Sequence, residues 1–144
     1  MLCAHIFTIL YKKLEGRIPT EFGLLQKLTQ LDLSSNQLYG NLPAELGQLK
    51  SMIQLSVHTN QLTGTIPEEI PVFMSQLKVL KLRGNFLTGS IPVHVGLMEE
   101  LDLLDLGGNR FNLTIPTQLG YLTGLETLKL DANKLTGSIR KFVY

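Results

Sequence analysis

Asparagine returns along this chain at Asn36, Asn60, Asn85, Asn109 and Asn133, in steps of 24, 25, 24 and 24 residues. Each stands at the same place in a longer pattern. LDLSSNQLYGNLP (31–43), LSVHTNQLTGTIP (55–67), LKLRGNFLTGSIP (80–92), LDLGGNRFNLTIP (104–116) and LKLDANKLTGSIR (128–140) align without gaps. A weaker copy, FTILYKKLEGRIP (7–19), has Lys12 where the asparagine belongs. A fixed period of this length across the chain confines it to a solenoid, in which each unit is one coil and buries its apolar side only against its neighbours. Six units follow: 1–24, 25–48, 49–73, 74–97, 98–121 and 122–144. They form a single domain, and the one longer step falls on an extra residue in EEIPVFM (68–74).

Each part of the unit has a physical role. Leu31-Asp32-Leu33 alternates apolar and polar with period two, so both leucines point to one side of a short strand. The equivalent triplets in the other units repeat this, and stacked in parallel they predict one sheet with rungs about 4.8 Å apart. A buried asparagine at each turn offers two donors and an acceptor to backbone groups that the turn leaves unpaired. Lys12 cannot supply the acceptor, so the first unit is expected to be the loosest. A glycine follows at Gly16, Gly40, Gly64, Gly89 and Gly137, with Leu113 the exception. Proline then opens the opposite side of the coil at Pro19, Pro43, Pro67, Pro92 and Pro116, and Arg140 replaces it in the last unit. Leu46, Leu49 and Met52 recur at three-residue spacing, which suits a short 3₁₀ or α-turn under the sheet.

The pattern L-x-x-L-x-L-x-x-N-x-L-x-G-x-I-P resembles the plant-type leucine-rich repeat, over essentially the whole chain. That class occurs in the ectodomains of receptor-like kinases and receptor-like proteins and in polygalacturonase-inhibiting proteins. The resemblance implies an α/β solenoid: a right-handed superhelix with a concave parallel sheet, 3₁₀ or α-turns on the convex side, and often a second short strand at L-x-G-x-I. It implies a non-catalytic module that binds a protein or peptide, extracellular or at the cell surface if part of a receptor-like parent. The alternatives are a soluble inhibitor of cell-wall-degrading enzymes and a truncated piece with no independent role. Members of the class usually carry cysteine-paired caps, whereas Cys3 is the only cysteine here.

Outward residues of successive strands align into columns. One reads Thr8, Asp32, Ser56, Lys81, Asp105, Lys129, and the next Leu10, Ser34, His58, Arg83, Gly107, Asp131. Lys81, Asp105 and Lys129 then stand as rung neighbours of alternating sign, and Gly107-Gly108 leaves a notch for a partner's backbone or ring. The expected recognition surface is Gln54, Ser56, His58, Lys81, Arg83, Asp105, Lys129 and Asp131. For any one of these residues, a solvated face of mutually neutralising charges is the plainer account. For the face as a whole, recognition is the better one.

Other chemistries fit poorly. Charge is nearly balanced, 13 basic against 12 acidic residues, so no general attraction to nucleic acid or anionic lipid is expected. No apolar run approaches the roughly 20 residues of a membrane helix. The apolar start MLCAHIFTIL lacks a basic leader and a cleavage site, and it fits the repeat register, so it reads as structure. His5, His58 and His94 occupy different repeat positions and cannot gather a metal, and no cofactor is implied. Asp32 and Asp105 lie about 14 Å apart by strand spacing, too far for paired catalytic carboxylates. Cys3 has no positioned base, so no catalytic residue is assigned. Asn112-Leu113-Thr114 is a sequon for N-glycosylation.

Overall fold

A computed structural model describes residues 5–11 and 13–138. Cys3, Lys12 and Arg140 lie outside these described residues. The triplet strands Ile6–Thr8, Gln30–Asp32, Gln54–Ser56, Val79–Lys81, Leu103–Asp105 and Thr127–Lys129 form one parallel sheet in chain order. Their register follows the repeat: Phe7, Leu31, Leu55, Leu80, Leu104 and Leu128 sit directly beside one another. This is the inner, concave face of the solenoid.

Past each asparagine a second, shorter ladder runs along one flank. Glu15–Gly16, Gln37–Asn41 and Gln61–Thr63 pair in parallel, as do Thr88–Gly89 and Arg110–Phe111. The backbone bonds Phe86 N–H to Leu62 O and Thr88 N–H to Gly64 O join the two groups. The glycine of this segment has positive φ in each unit that carries it, from 77° at Gly64 to 110° at Gly16. Leu113 holds the same left-handed conformation, at φ 65°, without the freedom glycine brings to it.

Opposite the sheet, proline-led turns stack as 3₁₀ helices at Thr20–Leu24, Ala44–Gln48, Val93–Leu97 and Thr117–Tyr121. Glycine lets them touch: a Cβ on Gly23 would lie 2.5 Å from Glu45 O, and one on Gly47 would lie 2.7 Å from Glu69 O. The 25-residue unit differs. Its extra residue widens the turn into an α-helix, Glu69–Phe73, with Val72 N–H donating to Glu68 O and Met74 N–H to Ile70 O. Pro71 sits in the first turn of that helix, where a missing N–H costs nothing. The strands on either side stay in register.

Between sheet and turns runs one continuous core, almost wholly leucine, isoleucine, valine and methionine. Phe7 replaces the strand leucine of the first unit and meets Phe22 edge to face at 5.1 Å. At the other end Leu128 is 40% exposed, whereas the same position is buried at Leu31, Leu55, Leu80 and Leu104. A coil with a neighbour on both sides hides this leucine, and the terminal described coil has a neighbour on only one.

Candidate functional site: the concave face and its asparagine ladder

The asparagines hold the scaffold behind the face. Asn60 Nδ2 donates to Val57 O of its own coil at 3.1 Å and to Leu33 O of the preceding coil at 3.0 Å. Its Oδ1 accepts Leu38 N–H, also from the preceding coil, at 3.0 Å. Asn36, Asn85, Asn109 and Asn133 make the same three bonds to the equivalent groups. Each side chain therefore ties one coil to the one before it, which strand pairing alone does only on the concave side. The residue before each asparagine is also left-handed: Ser35, Thr59, Gly84, Gly108 and Ala132 have φ between 52° and 66°. Thr59 is the most strained, since a β-branched residue at φ 57° is a rare conformation. The mixed identities Ser, Thr, Gly and Ala hid this second column in the sequence.

On the concave face itself, the columns behave differently from one another. Asp32 Oδ1 accepts both the N–H and the Oγ–H of Ser34, at 3.0 and 2.6 Å, and Asp105 Oδ1 accepts Gly107 N–H at 3.1 Å. An aspartate at this position thus caps its own turn, and Asp105 is buried. Arg83 reaches over the next rung. Its two terminal nitrogens donate to the two carboxylate oxygens of Asp131, at 2.9 and 2.8 Å, and Nη1 also lies 3.6 Å from Asp105. The hydrogen bond and charge of Arg83 hold the Asp131 carboxyl below the usual carboxylate range, and Asp131 raises the Arg83 guanidinium in return. Lys129 Nζ completes the group, 4.0 Å from Asp105.

Three expectations are corrected by this geometry. Ser56 is only 1% exposed, and its Oγ has no hydrogen-bond partner among the described residues, so it offers no contact to a partner. It is a short side chain between the longer Asp32 and Lys81 in its column, and Ser34 is buried likewise. The notch at Gly107 is filled: a Cβ there would collide with Arg83 Nη1. The alternating ladder Lys81–Asp105–Lys129 is incomplete, because Arg83 rather than Lys81 takes the near side of Asp105.

Outside this charged group the face presents Gln54, His58 and Lys81, all half-buried. His58 Nδ1 lies 3.2 Å from Thr59 Oγ1, and Lys81 has no ion pair among the described residues. Val79 and Leu103 share the face, half-buried in the column one step before Lys81 and Asp105. Sequence reasoning passed over these two, although period-two alternation puts Val79 on the same side as Lys81. Asn112 is exposed on the second ladder. His5, His58 and His94 stay apart, and no group of three or more metal-ligating side chains gathers among the described residues. No helix among the described residues is long and apolar enough to cross a membrane.

Comparison with known proteins places this geometry. The family model for the Leucine Rich Repeat matches residues 27–49 and 76–98. The ectodomain of the Arabidopsis receptor kinase HAESA, solved in complex with an N-terminally extended IDA peptide hormone, is 37% identical with a TM-score of 0.83. That alignment covers 87% of this chain and 21% of the other. The BIR3–SERK2 complex from Arabidopsis thaliana is 34% identical with a TM-score of 0.80, covering 90% of this chain and 68% of the other. A plant ice-binding protein is 35% identical with a TM-score of 0.77, covering 85% and 39%. The chain spans about a fifth of the length of the large receptor chains, such as TDR and HAESA, that it matches. A search of curated protein sequences gives no match.

Proposed function

The chain belongs to the leucine-rich repeat family, and on that footing we propose that it is a non-catalytic recognition module of a receptor-like, extracellular protein, holding a protein or peptide on its concave face. The observation that carries this reading is the division of labour in the third to sixth coils. Arg83 and Lys129 neutralise Asp105 and Asp131, while Lys81, His58 and Gln54 have no charged partner among the described residues and stand beside Val79 and Leu103. A surface with a free cation, two polar side chains and apolar ground between them suits an extended polypeptide, and the asparagine ladder keeps it rigid before binding. Similarity to receptors solved with peptide hormones and co-receptors supports the same reading. Its test is binding of candidate secreted peptides and ectodomains to the purified chain carrying Lys81→Glu with His58→Ala. Loss of binding with the coil intact supports the concave assignment, and binding that survives removes it.

One observation favours a second reading. Along the second ladder, Thr63-Gly64-Thr65, Thr88-Gly89-Ser90 and Thr136-Gly137-Ser138 recur at one repeat position, with Asn112-Leu113-Thr114 in the coil between the last two. The methyl of Thr65 lies over Gly89 and that of Thr114 over Gly137, so the missing Cβ atoms let neighbouring rows lie flat. These recurring hydroxyl and methyl groups, with the similarity to a plant ice-binding protein, support a reading in which this flank binds ice. Inhibition of ice recrystallisation by the purified chain, abolished by Thr65→Lys, would support it. A chain inactive in that assay would remove it.

A further inference from the structure

The near-neutral total conceals a segregation of sign. The strand and second-ladder stretches 13–17, 30–41, 54–65, 79–90, 103–114 and 127–138 hold seven basic and four acidic side chains. The stretches between them, 18–29, 42–53, 66–78, 91–102 and 115–126, hold three basic and eight acidic. The convex turns are the extreme case: Glu21, Glu45, Glu68 and Glu69 stand there with no lysine or arginine in any turn. Among the described residues only Glu68 has a basic neighbour, His94 Nδ1 at 3.9 Å.

Beside these carboxylates runs an apolar column. The last outward position of the turns is Leu24, Gln48, Phe73, Leu97 and Tyr121, and its four apolar members are 50–72% exposed. Single exposed apolar residues are ordinary on protein surfaces, but here they recur in register along one face. Phe73 stands between two hollows. One, of about 250 Å³, is bounded by Glu45, Gln48 and Glu69, and the other, of about 220 Å³, by Glu68, Glu69 and Val72.

We propose that the convex turns are a docking surface for a basic amphipathic helix of a partner protein. An α-helix advances about 5.4 Å per turn, close to the roughly 4.8 Å rung spacing that widens toward the outside of a curved stack. Apolar residues at i, i+3 or i+4, and i+7 therefore meet Phe73, Leu97 and Tyr121 one coil at a time. Lysines or arginines flanking that stripe face Glu45, Glu68 and Glu69. Sign decides the occupant's charge, because an acidic helix or an anionic surface meets the carboxylates of Glu21, Glu45, Glu68 and Glu69 on the first three turns.

The test uses two synthetic helical peptides of about five turns with the same leucine stripe, one with lysine and one with glutamate on the polar face. Titrated into the full chain, the lysine peptide is expected to bind and the glutamate peptide not. Raising salt to about 0.5 M is expected to weaken binding at least about tenfold. Phe73→Ser with Leu97→Ser is expected to weaken it by about as much while leaving the circular dichroism unchanged, since both side chains are largely exposed. Glu45→Lys with Glu69→Lys is expected to reverse the preference between peptides, and Lys81→Glu on the concave face to leave it alone. Equal binding of both peptides overturns the proposal, as does indifference to the Phe73 and Leu97 changes. A dimer of the chain that disappears with Phe73→Ser also overturns it, because the occupant is then a second copy.

Discussion

Arg83 and Asp131 lie 48 residues apart and share two nearly parallel hydrogen bonds, of 2.9 and 2.8 Å, above the rung that carries Gly107 between them. Glycine in the middle coil is what makes the pair possible: the guanidinium occupies the space where a side chain would project.

The first prediction concerns titration. The folded pKa of Asp131 lies below its ordinary value of 3.8, chiefly through the hydrogen bond from Arg83. A depressed carboxylate contributes to stability above its unfolded value, and the contribution disappears as pH falls through the folded one. An NMR titration of Asp131 in Arg83→Gln is therefore expected to move back up toward 3.8. A midpoint unchanged by that substitution would remove the pair as the cause.

Gly107→Ala isolates the steric side of the same relationship. The new Cβ collides with Arg83 Nη1, so the guanidinium is displaced and the Asp131 midpoint rises as it does in Arg83→Gln. The backbone of Gly107 is not left-handed, so the fold should tolerate alanine. A crystal structure of the variant with the Arg83–Asp131 bonds intact would contradict this.

Asn60→Ala removes three bonds at once and takes the acceptor from Leu38 N–H in a buried place, while Leu33 O and Val57 O each keep only the bond from the neighbouring Asn36 or Asn85. The expected loss is about 1–3 kcal/mol in urea unfolding. Hydrogen exchange is expected to speed up on both sides of the lost link, at Leu38 and at Val57, rather than in one coil alone.

Leu113→Gly goes the other way. Leucine at φ 65° carries a left-handed penalty of about 1–2 kcal/mol that glycine relieves, less the glycine's own entropic cost. Leu113 is exposed, so little packing is lost. The variant is expected to unfold a few degrees higher. Gly64→Ala is the counterpart: φ is 77° and the Cβ would stand 2.6 Å from Asn41 Oδ1, so a lower midpoint is expected.

Gly47→Ala probes the stacking of the turns. Its Cβ would lie 2.7 Å from both Glu69 O and Glu69 Cβ, so the second and third turns must separate at an overpacking cost of about 1–3 kcal/mol. A thermal midpoint equal to that of the parent would show that the contact relaxes freely.

The fold was legible because its determinants are periodic. Asparagine spacing and leucine alternation fix the rungs, and the strands pair in the register those steps dictate. The face was legible only as to side. Period two says that Ser56 and Lys81 point the same way, but not that a serine between longer side chains is buried. Nor does it say that arginine is long enough to pass over a glycine rung and pair two coils away. Conversely, Thr59 and Ser35 gave no hint of left-handed backbone, since neither residue is typical of it. The segregation of charge was readable from the same register, but a whole-chain total erased it.

The widened turn at Glu69–Phe73 bears on how such chains change over time. An added residue there leaves both flanking strands and their asparagines in step, whereas one added between Leu55 and Asn60 would turn every following side chain to the wrong face. Insertions are therefore filtered by position. The outer arc of the coil can lengthen, acquire helical pieces and diversify, while the inner arc keeps a constant beat, so novelty in this architecture accumulates on the side facing away from the sheet.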